Sequence, residues 1–218
     1  MNLTANVIGA TGLVGKQLLQ LLLNDVNFKK VRIFVRRDSG VQHPKLEQQI
    51  VDFSNKKSWK EHLTGDVLFS TLGTTLKQAG SKENEYEVDY TYNYNFADAA
   101  KSNGIKHFIL ISSVGANSSS KVFYTRMKGE LDDAVAKLEF KNLAILRPSS
   151  LTGDRAEKRL METISIPLAN FITKFIFKKY RPIEDRIVAT AMINTVLKPT
   201  SKKTIWEGDE VFELAQEK

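Results

Sequence analysis

Short apolar runs rich in β-branched residues recur along the chain at residues 5–8, 31–35, 49–53, 67–70, 107–112 and 143–146. Each has the length of a buried strand, and such runs suit strands covered on both faces. Between and after them, apolar positions recur at helical spacing over residues 12–23, 85–101, 123–138 and 184–197. Strand and helix alternate, so the chain reads as consecutive βαβ units. Right-handed crossovers then give a doubly wound, mostly parallel α/β sheet with helices on both faces, whose ligand crevice lies at the carboxyl ends of the strands. No linker or repeat divides the 218 residues, so they read as one domain.

The first run leads at once into Gly9-Ala10-Thr11-Gly12-Leu13-Val14-Gly15 and then a helical pattern. Glycine at a strand end permits a tight turn, a second lets backbone N–H groups approach a pyrophosphate, and a third lets the helix pack on its strand. The helix N-terminus then faces the anion. Dinucleotide binding is the firmest expectation from these residues. The second run ends in Val35-Arg36-Arg37, where a carboxylate would hydrogen-bond the free ribose hydroxyl of NAD and arginine would pair with the 2′-phosphate of NADP. Two guanidinium groups favour NADP(H) over NAD(H), with Asp38 too late in the chain for the ribose.

Reduction of a carbonyl by hydride needs a proton donor beside the developing alkoxide. Tyr124 and Lys128 are four residues apart on the 123–138 helix and share a face, and an ammonium near a phenol favours the phenolate. The strand before them ends in Ser112-Ser113, and Ser113 is the expected hydroxyl at the carboxyl edge, within reach of a substrate oxygen. Against each stands a plain structural role, since tyrosine and lysine at this spacing, and paired serines at a strand end, are common in helices and turns.

Composition narrows the chemistry. The chain has no cysteine, which excludes disulfides, thiolate metal sites and cysteine nucleophiles. Its three histidines, His43, His62 and His107, fall in different elements, so no metal site is expected. The net charge of +7 is scattered as pairs such as Lys178-Lys179 and Lys202-Lys203, without the aromatic-interleaved stripe of a nucleic-acid surface, and no nucleic acid is expected. The start runs straight into a strand with no signal-like segment, which reads as cytoplasmic. Residues 151–183 contain an apolar stretch with Pro167 and a basic end, a substrate-covering or packing segment in a small C-terminal substrate region. A membrane-surface role for it ranks behind those two. The remaining partner expectations are a small-molecule substrate and a monomeric or homodimeric state.

GATGLVG at the start, SSVGA at a strand end, YxxxK on the next helix and LRPSS after the following strand resemble the short-chain dehydrogenase/reductases, a Rossmann-fold superfamily. Arg36-Arg37, Ser70-Thr71-Leu72-Gly73-Thr74-Thr75, Gly104 to Phe108 and Arg147 to Arg155 are similar to its atypical, NADPH-binding, Tat-interacting oxidoreductase-like group, which has epimerase/dehydratase relatives. The resemblance spans nearly the whole chain. It implies that Gly9, Thr11, Gly12, Leu13, Val14 and Gly15 hold the pyrophosphate and that Arg36 and Arg37 hold the 2′-phosphate. Asp52 and Phe53 would border the adenine, and Leu72 and Gly73, followed by Thr74, would pass beneath the adenine ribose. Tyr124 would be the acid/base, Lys128 would bind the nicotinamide ribose, and Pro148, Ser149, Ser150 and Leu151 would wall the nicotinamide. The asparagine that supports a proton relay in many relatives falls by count at Val88-Asp89, with Asn93 and Asn95 a turn or more later, leaving Asp89 and a nearby asparagine as alternatives. The expected activity is NADPH-dependent reduction of a small carbonyl-type substrate. An NADPH-binding scaffold with little turnover and an isomerase retaining its cofactor are the alternatives.

Overall fold

The computed structural model describes residues 1–152, 181–198 and 204–216. Seven parallel strands form one sheet: β1 (Leu3–Ile8), β2 (Phe28–Val35), β3 (Leu46–Ile50), β4 (Val67–Ser70), β5 (His107–Ile111), β6 (Asn142–Arg147) and β9 (Ile205–Glu207), in spatial order β3-β2-β1-β4-β5-β6-β9. Two short strands, β7 (Leu151–Thr152) and β8 (Ile183–Glu184), pair separately. The strand order reverses between β1 and β4, so their carboxyl ends diverge into the crevice that the doubly wound pattern predicts.

The sheet separates two apolar layers. On one face lie α1 (Leu13–Asn24), α6 (Asp185–Leu197) and α7 (Asp209–Gln216), packed through Leu18, Leu22, Val188, Met192 and Leu214. On the other, α4 (Asn93–Ser102) and α5 (Phe123–Ala136) bury Phe96, Ala100, Leu131 and Val135, and the Trp59 ring stacks on Phe96 with centroids 3.7 Å apart. Short helices α2 (Leu76–Ala79) and α3 (Lys82–Tyr86) follow β4. Apolar side chains on both faces explain why the strands read as near-continuous hydrophobic runs.

The third strand departs from expectation. It occupies Leu46–Ile50 rather than residues 49–53, because it is the sheet's edge, where half-exposed Glu47, Gln48 and Gln49 are tolerated and apolar content misleads. Its polarity is used. Arg32, buried in β2, donates through Nε and Nη2 to Glu47 at 2.8 and 3.1 Å, while Nη1 reaches the carbonyl oxygens of His62 and Thr64 at 2.7 and 3.1 Å. Hydrogen bonds from Arg32 hold the Glu47 carboxyl down at about 2; burial opposes this and Lys30 adds to it.

A carboxylate whose pKa falls on folding stabilises the protein above its unfolded value, and that stability is lost as pH drops toward the folded value. Glu47→Gln is therefore expected to cost about 1–2 kcal/mol at neutral pH, through the charge left on buried Arg32. It should also flatten the acid limb of stability between pH 4.5 and about 2. Urea melts across that range check both.

Candidate active site

At the end of β1 the backbone turns through Gly9, at φ +78°, and the Gly12 N–H donates to the Gly9 oxygen at 2.9 Å. A side chain at Gly9 would put a Cβ 2.4 Å from the Thr71 carbonyl carbon, and one at Gly15 would stand 2.1 Å from the Gly9 oxygen. Three backbones meet there with no room for a methyl group. Helix α1 opens on Gly12 with no side-chain cap and no acid in its first turn, so its positive end faces the cleft uncompensated. A cleft of about 920 Å³ lies against it, lined there by Gly9, Thr11, Gly12, Leu13 and Val14. A bare helix N-terminus on a cleft of this size fits a dinucleotide pyrophosphate.

The floor of the cleft is shaped by an irregularity in the long helix. Glu87–Tyr92 form a π-helical turn between α3 and α4, which widens the helix by one residue and disturbs its backbone ladder. The side chain of Asn93 donates to the carbonyl oxygens of Val88, Asp89 and Leu72 at 3.1, 3.0 and 3.3 Å and accepts from the Ser70 hydroxyl. The turn leaves Asp89 inward, where Oδ2 accepts from the Thr74 N–H at 2.7 Å and Oδ1 lies 2.7 Å from Lys128 Nζ. Asp89 and Asn93 thus both grip the segment after β4.

Tyr124 and Lys128 share a face of α5 as their spacing requires, with Nζ 5.8 Å from the tyrosine ring centre. Tyr124 is 39% exposed, whereas Lys128 is 4% exposed. Burial opposes the ammonium, yet Asp89, seconded by Tyr124 and Asp132, holds the Lys128 pKa above the usual lysine range. Burial, reinforced by Asp89 and partly offset by Lys128, raises the nearby Glu85 carboxyl. One turn beyond Lys128, Asp132 Oδ2 accepts from Arg147 Nε at 2.9 Å and lies 2.8 Å from its Nη2. Burial pushes its carboxyl up to about 6, against the pull of Ser112 and Arg147. Ser112 Oγ is near enough to favour the ionised form but lacks hydrogen-bond geometry, and neither it nor Asp132 Oδ1 has a hydrogen-bond partner among the described residues.

The cleft gathers Ser113, Tyr124, Lys128, Arg36, Arg37, Leu72, Gly73, Thr74, Pro148, Ser149, Ser150 and Leu151 along with the turn. The Ser113 hydroxyl makes a long contact, 3.4 Å, to the neighbouring Val114 oxygen, and Ser149 donates to the Arg181 oxygen. Three expected residues lie outside the lining. Gly15 packs beneath the turn, Asp52 accepts from the Ser54 N–H and hydroxyl, and Phe53, expected at the adenine from the family resemblance, is buried edge-on against Tyr92 and Phe96. Thr71, Gln78, Ile111, Ser112 and Val114 join the lining unforeseen, together with Asp89, which the sequence offered as a relay candidate. Of these only Asp89 carried a signal, its match by count to the relay position of the family it resembles. The apolar stretch with Pro167 lies outside the described residues. Among them no helix is long and apolar enough to cross a membrane, and no metal-binding cluster occurs.

Residues 9–167 match the family model described as NAD(P)H-binding. The chain is 35% identical over 222 residues to the mitochondrial protein FMP52 of Candida albicans, covering 96% of each, and 35% identical over 224 residues to that of Meyerozyma guilliermondii, covering 98% of this chain and 95% of that one. The cytoplasmic expectation is corrected by these relatives, whose names are mitochondrial. Among solved structures, a short-chain dehydrogenase/reductase superfamily protein from Agrobacterium tumefaciens with bound NAD superposes with TM-score 0.71 at 14% identity, over 93% of this chain and 76% of that one. Helicobacter pylori ADP-L-glycero-D-manno-heptose-6-epimerase does so with TM-score 0.68 at 18% identity, over 96% and 80%. The fold is that of the short-chain dehydrogenase/reductase superfamily.

The raised Asp132 carboxyl has a measurable sign. Between pH 3.8 and about 6 the folded protein holds a proton that the unfolded chain releases, so this component of stability is present below pH 3.8 and lost as pH rises through about 6. Asp132→Asn is expected to remove that component, on the order of 3 kcal/mol, from the pH dependence of chemical denaturation. It should also lower stability overall by weakening the hold on Arg147.

Proposed function

Because the chain belongs to the NAD(P)H-binding family, alongside the fungal FMP52 proteins, we propose that it is an NADPH-dependent oxidoreductase acting on a small carbonyl-type substrate. The observation that carries this reading is one cleft that holds a bare helix N-terminus and two arginines at one end and the Tyr124–Lys128 pair at the other.

Cofactor choice is read from β2. Arg36 and Arg37 line the cleft, both exposed, and have no carboxylate partner among the described residues. Asp38 is turned to its own loop, accepting from Gln48 Nε2 at 2.8 Å and the Gly40 N–H at 3.0 Å, which lower its pKa in that order. The guanidinium groups are thus free for a 2′-phosphate, and the first acid after them is turned to its own loop.

At the other end, NADPH when bound supplies the hydride. The Tyr124 hydroxyl donates the proton to the developing alkoxide, and its exposure allows water to return that proton. Lys128 stays cationic against Asp89 and stabilises the negative charge left on the phenol oxygen. Ser113 orients the substrate oxygen, and Pro148 to Leu151 wall the reacting face.

Tyr124→Phe is expected to lower kcat by about 10²–10⁴-fold with NADPH affinity nearly unchanged, as followed by loss of nicotinamide absorbance on a carbonyl panel. Copurifying nicotinamide that is never consumed would oppose net reduction. Joint replacement of Arg36 and Arg37 by alanine should weaken NADPH binding by about 10–100-fold and leave NADH binding within a few-fold, by fluorescence titration. Equal weakening of both would overturn the cofactor assignment.

A further inference from the structure

A buried charge pair on the cleft wall does more than neutralise itself. Asp89 reaches two elements at once: Oδ2 accepts from the Thr74 N–H at 2.7 Å, in the segment after β4, while Oδ1 sits 2.7 Å from Lys128 Nζ on α5. Both partners line the cleft, as does Asp89 itself. Gly73 presses on the same carboxylate, since a Cβ there would stand 3.2 Å from Oδ1. The backbone of Asp89 is tied to the same segment, because Asn93 donates to both the Asp89 and the Leu72 carbonyl oxygens.

We propose that Asp89 is a positioning residue that locks the Lys128 ammonium to the Gly73–Thr74 backbone, so that occupancy of the cofactor site and the charge on Lys128 are linked. The proposal rests on the cofactor reading above and goes beyond it by assigning the link to one carboxylate. The physical argument is one of cost. An unpaired lysine as deeply buried as Lys128 is driven toward its neutral form, whereas a carboxylate in contact reverses the preference.

The other groups facing Lys128 cannot substitute. From α5 itself, Tyr124 presents a phenol and Asp132 is committed to Arg147 at 2.8 Å. From α3, Glu85 has its own charge disfavoured by burial and by Asp89. Among the described residues Asp89 alone combines contact with Lys128 and a bond to the segment expected beneath the adenine ribose. A ligand that orders Gly73 and Thr74 therefore tightens the ion pair, and by reciprocity a charged Lys128 favours that ligand.

The test follows the lysine Cε resonances of ¹³C-labelled protein through a pH titration, Lys128 being assigned by its loss in Lys128→Met. In Asp89→Asn, which keeps an amide oxygen for the Thr74 N–H, the Lys128 midpoint is expected to fall by about 2 pH units or more, and affinity for NADP⁺ to drop about tenfold at a pH above the new midpoint but less below it. A Lys128 midpoint unmoved by Asp89→Asn would overturn the proposal, as would an affinity loss of the same size at every pH. If Asp89→Asn fails to fold, the double variant Asp89→Asn/Lys128→Met is used. Recovery of a cooperative melt would support Asp89 as the counter-ion of Lys128, and continued failure to fold would reject it. These readouts need no turnover, so absence of carbonyl reduction would reject the enzymatic reading and leave this one standing.

Discussion

The fold is organised around a place where backbone meets backbone with nothing between. At the end of β1 the Gly9 turn, the start of α1 at Gly15 and the Thr71 segment after β4 approach so closely that a methyl group on either glycine would overlap main-chain atoms. This contact brings α1 down onto the sheet at the point where the strand order reverses, and so aims its uncapped end into the crevice. The same approach holds Leu72 to Thr74 where Asp89 and Asn93 can reach them. Steric exclusion at one turn thus sets the geometry of the anion site and the floor of the reacting end together.

Much of this was legible in the order of residues, and the limits have physical causes. Strands β1, β2, β4, β5 and β6 are buried on both faces, so their runs are unbroken and their identity is plain. The edge strands are different. β3 is polar because only part of it is covered, and β9 is three residues of Ile205-Trp206-Glu207, too short for any periodicity to register. Phe53 shows the converse error, since apolar character alone does not distinguish a core side chain in a turn from a strand residue.

In the site, the turn, Arg36-Arg37 and the Tyr124–Lys128 pair could be read because each is a short-range pattern whose chemistry depends on spacing along one element. The partners of Lys128 depend instead on tertiary approach. Asp89 lies thirty-nine positions earlier and reaches it only because a helix changes its winding, and Ser112 and Asp132 are neighbours across two elements. Nothing in Glu87-Val88-Asp89-Tyr90-Thr91-Tyr92 announces a π turn, since its cost is met by a side chain that follows it, Asn93.

That turn has a consequence for how the chain can vary. One extra residue in a helix shifts everything upstream by roughly 100° about the axis, and here the inward aim of Asp89 depends on it. The stretch is thereby more tolerant of altered composition than of altered length. Tyr86, Tyr90 and Tyr94 still stack in succession across the widened turn, so the outer face remains continuous while the inner face is re-phased. Descendants of this chain that lost a single position there would keep their helix and lose their register.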